Sequence, residues 1–362
     1  MFSFVGRTAI KEDRVQLRMV IRNPRGALLQ DQGVEFYDCK LTLISLNACL
    51  QNQSTASTLT MNGHATAAME NGYTNGDHFE VDPRNYDHVV RVADTIASLI
   101  NMEQKPTIGI ICGSGLGELA DRVTETQVVP YSKIPGFPGT SVVGHKGNLV
   151  FGKIGDKSVI CMQGRFHPYE HGMNLALCAM PVRIMHLLGV KTLIVSNAAG
   201  GINENFQYGD LMLLKDHIFL PALAGFSPLV GVNDPRFGQR FVSVHDAYDI
   251  KLRKMALKIA EKQNIRVHEG IYVMSGGPQY ESPAEVKLFK TVGADALGMS
   301  TCHEVTVARQ CGIQVLGFSL ITNIANLDAD NSVEVSHEEV LETAKEASQR
   351  ACNFVNEIIE SI

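Results

Sequence analysis

The sequence predicts a single α/β domain with a central mixed β-sheet flanked by helices, preceded by a disordered N-terminal extension. From about residue 83 onward, β-branched runs alternate with amphipathic segments, which is the pattern of a largely parallel or mixed sheet. Glycine-rich turns follow several of those runs. Residues 51–78, in contrast, are polar and low in complexity, which is typical of a disordered linker. We therefore divide the chain into an extension, residues 1–80, and a folded domain, residues 81–362.

The predicted elements alternate between strands and helices along the whole domain. The strongest local signal is Gly155-Asp156, a two-residue turn that joins two extended runs into a hairpin. Strands are predicted at residues 107–112, 149–153, 157–162, 192–196, 210–215, 270–275, 296–299 and 315–321. Helices are predicted at residues 86–100, 174–188, 247–263, 283–291, 304–310 and 337–359. No internal repeat and no second domain boundary is evident in this series.

Three of the helix starts carry the sequence of a capping box, in which Ser or Thr stands three residues before Glu. These boxes occupy residues 282–285, 301–304 and 336–339. Each predicts a structural role, because the first side chain accepts a backbone N–H while the glutamate bonds back to the first residue.

Composition narrows the class of protein. The 362 residues carry a net charge of −6, so no nucleic-acid partner is expected, since such partners usually bind basic proteins. No run of 18 apolar residues occurs, so no membrane span is predicted. The eight cysteines include no CxxC pair and several lie in apolar runs, which favours reduced thiols and no structural zinc. We therefore expect a cytoplasmic location.

The first 30 residues leave a second location open. They carry six basic and two acidic residues. Five basic side chains would share one face of a helix that ends before Pro24: Arg7, Lys11, Arg14, Arg18 and Arg22. An arginine-rich amphipathic start is typical of a mitochondrial presequence, although Glu12, Asp13 and the scarcity of serine argue against one.

Arg165, His167 and Tyr169 form the most informative pattern in the chain. They stand two apart directly after the β-branched run 158–162, and an extended chain places alternate side chains on one face. A guanidinium beside an imidazole suits an oxyanion such as phosphate, and the tyrosine adds a hydroxyl and a flat apolar face. The alternative is a charged row on an edge strand that binds no ligand.

Small residues and isolated polar residues follow other strands. In the glycine-rich turn 112–117, backbone amides can approach an anion, and Ser114 adds a hydroxyl. Residues 196–201 either repeat this arrangement or form a tight turn. Glu281 and Asn323 offer an acceptor and a planar amide for the edge of a heterocycle, unless they are a solvated glutamate and an Asx turn. Open α/β sheets bind ligands at these strand ends.

Two other ligand classes fit the sequence less well. Residues 167–171 spell the H-x-x-E-H zinc motif, but Pro168 and Gly172 disfavour the sustained helix that this motif requires. The turn at 113–117 is not a dinucleotide fingerprint, because Glu118 stands where the third glycine belongs. A nicotinamide oxidoreductase is therefore a weak alternative.

Seven segments together resemble the trimeric purine nucleoside phosphorylases. The resemblance runs from about Met69 to the C-terminus, and the first 68 residues show none. Each segment alone is a weak signal, but their number and order are specific. The segments are residues 112–117, 144–145, 163–170, 196–201, 277–281, 298–301 and 321–323.

The resemblance implies three groups of site residues, among which Glu281, Asn323 and His167 would be catalytic. The phosphate pocket would consist of Ser114, His145, Arg165, His167, the Ala198 amide and Ser300. The ribose would contact Tyr169, Met299, His337 and, from a neighbouring subunit of a homotrimer, Phe237. The base would contact Tyr280, Glu281 and Asn323.

The same resemblance implies reversible phosphorolysis of inosine, guanosine and their deoxy forms, a step of purine salvage. Phosphate would be a co-substrate, with no metal or organic cofactor. Three residues depart from the family pattern: Ile324, Cys302 and His303, where a charged imidazole could alter phosphate affinity. A non-catalytic binder of purines or nucleosides on the same fold is the alternative from another class.

Overall fold

The computed structural model describes residues 80–101, 105–330 and 336–362, together with the backbone of three strands nearer the N-terminus. The chain forms two compact units, residues 1–74 and 75–362. In the first unit, β1 (Thr8–Lys11), β2 (Arg14–Arg22) and β3 (Leu28–Phe36) pair as an antiparallel sheet in that order.

The predicted helix with a basic face is therefore wrong over residues 14–22, which form strand β2. The missed signal is the alternation of apolar residues at positions 15, 17, 19 and 21, which has the period of a strand rather than of a helix. The predicted linker, residues 51–78, lies outside the described residues.

The second unit is built on one nine-stranded mixed sheet in the order β11-β10-β9-β12-β8-β4-β7-β6-β5. Parallel pairs (β4 with β7 and β8, β12 with β8, β10 with β9 and β11) occur beside antiparallel ones. An additional pairing joins β11 to β8, so these strands close into a ring of five with β10, β9 and β12. The strands are β4 Ile108–Cys112, β5 Thr124–Pro130, β6 Asn148–Ile154, β7 Lys157–Gln163, β8 Thr192–Gly201, β9 Leu211–Phe219, β10 Val267–Met274, β11 Ala296–Gly298 and β12 Gln314–Ile324.

Helices cover both faces of this sheet. Consecutive residues of β4, Ile110 and Ile111, belong to different hydrophobic cores, as the alternation of a strand requires. One core includes side chains of the helices at residues 86–98, 180–188 and 302–310, and the other includes side chains of the helices at residues 250–262 and 337–361. The helices are α1 Tyr86–Ser98, α2 Leu175–Cys178, α3 Met180–Leu188, α4 Leu220–Leu223, α5 Ile250–Lys262, α6 Pro283–Thr291, α7 Cys302–Gln310 and α8 His337–Ser361.

The predicted mixed sheet with flanking helices is confirmed, with local differences. The helix predicted over 174–188 is two helices that meet at Ala179, because Pro181 lacks the N–H that a continuous helix would bond. Strand β5 was not predicted, since its polar, mostly exposed sequence lacks a hydrophobic period. In the part of the chain that the structure describes, no helix is long and apolar enough to cross a bilayer.

Strand β8 continues through Gly201, so the tight turn considered for residues 196–201 does not form. Its small residues let β8 pair with β12 on one side and β11 on the other. A Cβ atom on Gly201 would lie 3.0 Å from the Ile321 side chain. The close approach of three backbones at this strand end shapes the floor of the cavity described below.

Gly113 illustrates the same close packing and gives a stability prediction. A Cβ at this position would lie 2.7 Å from both the Asn197 Cα and the Ser196 carbonyl oxygen, and neither backbone atom can move freely. We expect Gly113→Ala to lower the free energy of unfolding by about 1–3 kcal/mol, measured by urea denaturation. Gly139→Ala is the matched control, because a Cβ there meets no atom within 4 Å. Equal midpoints for the two variants would contradict this account.

Candidate functional site

A cavity of about 630 Å³ opens at the carboxyl ends of the parallel strands. It brings together all but two of the site residues predicted from the sequence. These residues are Ser114, Arg165, His167, Tyr169, Ala198, Tyr280, Glu281, Met299, Ser300, Asn323 and His337. The side chains of Arg165 and Glu281, more than 100 positions apart in the sequence, therefore face the same space.

The glycine-rich turn after β4 places Ser114 at one end of the cavity. The Gly113 N–H donates to Ser196 Oγ at 3.1 Å, which ties the turn to β8. Gly115 has a φ of +74°, and a Cβ on it would lie 2.1 Å from the Ala344 Cβ on α8. Only glycine fits at this position, because both the φ angle and the contact with α8 exclude a side chain.

Arg165 is almost fully buried beside this turn. Its Nε and Nη2 donate to the two carboxylate oxygens of Glu304 at 3.1 and 2.8 Å, and its Nη1 donates to the Ser196 carbonyl at 2.6 Å. Both side chains of the ion pair are no more than 2% exposed. The capping box predicted at 301–304 is therefore wrong, since Thr301 makes no side-chain cap and Glu304 turns inward to Arg165.

His167 is held by Glu170. The His167 Nδ1 lies 3.1 Å from a Glu170 carboxylate oxygen, so Nδ1 carries the proton and Nε2 is the acceptor when the ring is neutral. The other Glu170 oxygen accepts from the Ser141 N–H and hydroxyl, each at 2.7 Å. Burial alone would raise the pKa of Glu170, but these bonds from His167 and Ser141 lower it well below its usual range. Burial lowers the pKa of His167, against the effect of Glu170.

His145 borders the cavity without lining it. Its Nε2 lies 3.3 Å from Ser114 Oγ, and its ring stacks on His167 with centroids 5.4 Å apart. Gly164 permits this position, because a Cβ there would lie 2.7 Å from the His145 Cβ. Burial, followed by the nearby His167 and Arg165, lowers the pKa of His145 to about 3. The ring is therefore neutral at neutral pH and acts through hydrogen bonds rather than charge.

Ser300 lines the cavity and belongs to a short chain of polar contacts. The Ser300 and Thr301 hydroxyl oxygens are 3.3 Å apart, and the Asn197 amide donates to Thr301 at 2.9 Å. Thr301 has a φ of +79°, which is uncommon for a β-branched residue. Strained backbone of this kind is typical of functional sites. From the sequence, Thr301 is expected only to cap a helix and Asn197 has no role of its own, because no local motif announces a contact between them.

Aromatic and apolar groups line the next part of the cavity. The Tyr169 ring stacks on His167 with centroids 5.0 Å apart, and burial raises the pKa of Tyr169 to about 12, so its hydroxyl stays protonated. Gly277 allows the chain to pass closely, since a Cβ there would lie 2.5 Å from the Met299 sulfur. His337 begins α8, and its buried Nε2 has no hydrogen-bond partner within the residues described.

Glu281 and Asn323 place two polar side chains in another part of the cavity. Glu281 accepts a hydrogen bond from Ser275 Oγ at 2.5 Å, and burial raises the pKa of its carboxyl group. The Asn323 Oδ1 accepts from Thr322 Oγ1 at 3.3 Å, which leaves the amide nitrogen as a donor. Tyr280, 42% exposed, stands at the opening. This pair can accept one hydrogen bond from a planar heterocycle and donate another to it.

Two sequence-based expectations need correction. Phe237 is 5% exposed and packs against Tyr86 and under the Arg183 guanidinium of its own chain, so it is not available to a neighbouring subunit. His303 is fully buried, and burial lowers its pKa to about 4, so the imidazole next to the phosphate-binding residues is neutral rather than charged. Burial, which the sequence does not report directly, decides both cases.

The arrangement as a whole suits a ligand with three parts. Arg165, Ser114, Ser300 and the small residues of β8 form an anion site at one end. Tyr169 contacts His167 on one side and, together with Met299, the Gly277 turn on the other, and Glu281 and Asn323 add an acceptor and a donor to the same cavity. An anion, a sugar and a heterocycle, placed in that order, match these chemistries.

Comparison with known proteins agrees with this arrangement. The model of the Phosphorylase superfamily matches residues 107–360. The chain is 48% identical to the purine nucleoside phosphorylase of Rattus norvegicus over 76% of this chain and 96% of that protein. Crystal structures of the Schistosoma mansoni purine nucleoside phosphorylase with inosine and with adenosine each match with a TM-score of 0.73 and 48% identity, over 77% of this chain and 98% of theirs. A structure of a Schistosoma purine nucleoside phosphorylase with guanosine matches with a TM-score of 0.72 and 47% identity.

Proposed function

Because this chain belongs to the purine nucleoside phosphorylases, we propose that its cavity catalyses the reversible phosphorolysis of inosine, guanosine and their deoxy forms. The products are the free purine and (deoxy)ribose 1-phosphate. The observation that carries this proposal is the shared cavity of Arg165 and Glu281, which can hold an anion and a purine across one sugar. The first substrate class to test is therefore the 6-oxopurine nucleosides.

The anion end would hold phosphate below the sugar. Arg165, Ser114, Ser300 and the Ala198 N–H would donate hydrogen bonds that replace the hydration shell of phosphate. The unprotonated Nε2 of His167 would accept a hydrogen bond from the P–O–H group. A phosphate oxygen then forms a bond to C1′ as the bond from C1′ to the purine nitrogen breaks. The electron pair of that bond leaves with the purine, which takes up, through solvent, the proton that phosphate gives up.

The base end would stabilise the departing purine. Negative charge develops on the base as the glycosidic bond breaks, so hydrogen bonds that strengthen at that point lower the barrier. The Asn323 amide would donate to N7, and ionised Glu281 would accept from N1–H. Tyr169 and Met299 would pack against the ribose, and His337 would meet its 5′-hydroxyl. These side chains act by binding, orientation and proton placement.

One assay tests this proposal against a non-catalytic binder. The full-length protein is incubated with inosine, with and without phosphate, and release of hypoxanthine is followed. Release that depends on phosphate is expected, and binding of inosine without release in either sample would overturn the proposal.

We also propose that no metal or organic cofactor is needed, since hydrogen bonds and one guanidinium meet the charge of phosphate. Activity should therefore survive dialysis against EDTA.

We further propose that the enzyme is a homotrimer whose subunits complete one another's sites. Among the described residues, five large exposed hydrophobic side chains fall between positions 223 and 244, which is typical of a protein–protein contact. They are Leu223, Phe226, Val230, Phe241 and Val244. Sedimentation equilibrium should give three times the chain mass, and a monomer at assay concentrations would contradict this.

Phe241 replaces Phe237 as the residue proposed to reach a neighbouring site, since its side chain is 87% exposed. We expect Phe241→Ala to raise the KM for inosine about tenfold, as loss of an aromatic contact at an interface does. Its free energy of unfolding should change little. Phe237→Ala should instead destabilise the fold by about 3–5 kcal/mol, because it empties a core position. An unchanged KM in Phe241→Ala would remove this residue from the site.

A further inference from the structure

Glu304 contacts the Arg165 side chain, and the proposed reaction gives this carboxylate no role. It is 1% exposed, lies in the first turn of α7, and bonds both of its oxygens to Arg165. Its neighbours along the helix, Val305 and Val307, are fully buried. Burying a carboxylate costs free energy, and pairing it with a guanidinium recovers only part of that cost. The presence of this buried ion pair beside the cavity therefore needs an explanation.

We infer that Glu304 is a positioning residue, which fixes the plane of the Arg165 guanidinium so that its remaining N–H groups point into the anion end of the cavity. This inference rests on the proposed function, because it assigns phosphate to that end. A guanidinium has five N–H groups in a fixed planar fork. Glu304 takes two of them and the Ser196 carbonyl takes a third. One N–H on each Nη remains for an anion.

The geometry explains why a bidentate partner is needed. A single contact lets the guanidinium rotate, whereas two parallel N–H···O bonds fix its plane. The Ser196 carbonyl adds a third point, and Ser196 is itself held, since its hydroxyl donates to the Ile111 carbonyl at 3.0 Å. Arg165 is thus fixed to α7 on one side and to β8 on the other before phosphate arrives.

The charge of Glu304 also matters while no phosphate is bound. A buried guanidinium without a counter-charge is unstable, and Glu304 supplies that charge within the fold. The dipole of α7 favours a carboxylate in its first turn, so the helix supports Glu304 in turn. Phosphate then meets an arginine that is already oriented, and binding requires little rearrangement.

The test is Glu304→Gln in the full-length enzyme, with steady-state kinetics for both substrates. The amide keeps the size of the side chain but places an NH₂ group against one guanidinium N–H, which breaks the fork. We expect the KM for phosphate to rise at least about tenfold, as loss of one charged hydrogen bond does. The KM for inosine should stay within about twofold, because the base end is a separate part of the cavity.

Three controls separate positioning from a merely structural role. Glu285→Gln makes the same substitution at the equivalent position of α6, in an exposed capping box, and should leave both KM values unchanged. Glu304→Asp keeps the charge but shortens the reach, so it should restore part of the phosphate affinity. In an Arg165→Ala background, Glu304→Gln should add little, since the group that it positions is gone.

The possible outcomes are distinct. Wild-type enzyme that releases no hypoxanthine with phosphate refutes the proposed function itself. Active wild-type enzyme with an unchanged phosphate KM in Glu304→Gln, or equal increases in both KM values, overturns the positioning role alone. If Glu304→Gln does not fold, Glu304→Asp decides: a higher phosphate KM with an unchanged inosine KM supports the inference, and an unchanged phosphate KM overturns it.

Discussion

Replacing Glu281 by alanine should reduce kcat/KM for inosine by about 10–10², because its charged hydrogen bond from the base N1–H, worth roughly 1.5–3 kcal/mol, is lost. Glu281 is partly buried and already oriented by Ser275, so water replaces it poorly. Steady-state assays of hypoxanthine release measure the effect. The KM for phosphate should change little, since the anion end is untouched.

Glu281→Gln should be nearly as damaging as the alanine variant. The glutamine amide has the right size, but it either presents its NH₂ to the N1–H of the base or offers only one neutral acceptor. Near-normal turnover in the alanine variant would remove Glu281 from the site. Recovery in the glutamine variant alone would show that shape, rather than charge, is what this position contributes.

The pH dependence of the reaction follows from the same carboxyl group. Burial raises the pKa of Glu281, so it becomes protonated at a higher pH than an ordinary glutamate. A protonated Glu281 cannot accept from N1–H with a full charge, so kcat/KM for inosine should fall as the pH drops towards this raised pKa. The acidic limb of the profile should disappear in Glu281→Gln. An acidic limb that persists there would belong to another group.

Asn323→Asp should exchange the base preference of the enzyme. The amide nitrogen of Asn323 can donate to a 6-oxopurine, whereas a carboxylate can only accept and suits the 6-amino group of adenine. We expect kcat/KM for inosine to fall by up to about 10⁴ while that for adenosine rises, since unpaired buried polar groups discriminate strongly. Parallel assays with inosine and adenosine measure the change.

The variant should also respond to pH in the opposite sense. Adenine has no N1–H, so ionised Glu281 has nothing to accept, whereas protonated Glu281 can donate to N1. Cleavage of adenosine by Asn323→Asp should therefore increase as the pH falls, where cleavage of inosine by the wild type decreases. Asn264→Asp, at an exposed turn, is the matched control and should keep the wild-type preference. An unchanged preference in Asn323→Asp would refute the role of Asn323.

Local patterns predicted the sheet and most of the site. The hairpin at Gly155-Asp156 and the capping box at Ser282 depend on residues adjacent in the chain, and the structure bears out both. Their geometry is set by φ and ψ preferences and by the period of the backbone. Arg165, His167 and Tyr169 share the cavity as predicted, but not through an extended chain, because β7 ends at Gln163 and residues 168–171 form a 3₁₀ turn.

Where distant contacts competed, local interpretation failed. Residues 301–304 have the spelling of a capping box, but the buried guanidinium of Arg165, 139 positions away, attracts Glu304 more strongly than a backbone N–H. Phe237 and Phe241 are both aromatic residues of one loop, and only the packing of the core shows that the first is buried and the second exposed. Nothing in their spacing distinguishes them.

The sequence by itself determined the order of strands and helices, the family and the types of residue at the strand ends, because these follow from local periodicity and short motifs. Only the tertiary structure decided which side chains are buried, which of them pair, and so which are charged. It made His145 and His303 neutral, raised the pKa of Glu281 and joined Glu304 to Arg165. The reason is that desolvation and ion pairing depend on the full set of neighbours in space, and folding brings those neighbours together from distant parts of the chain.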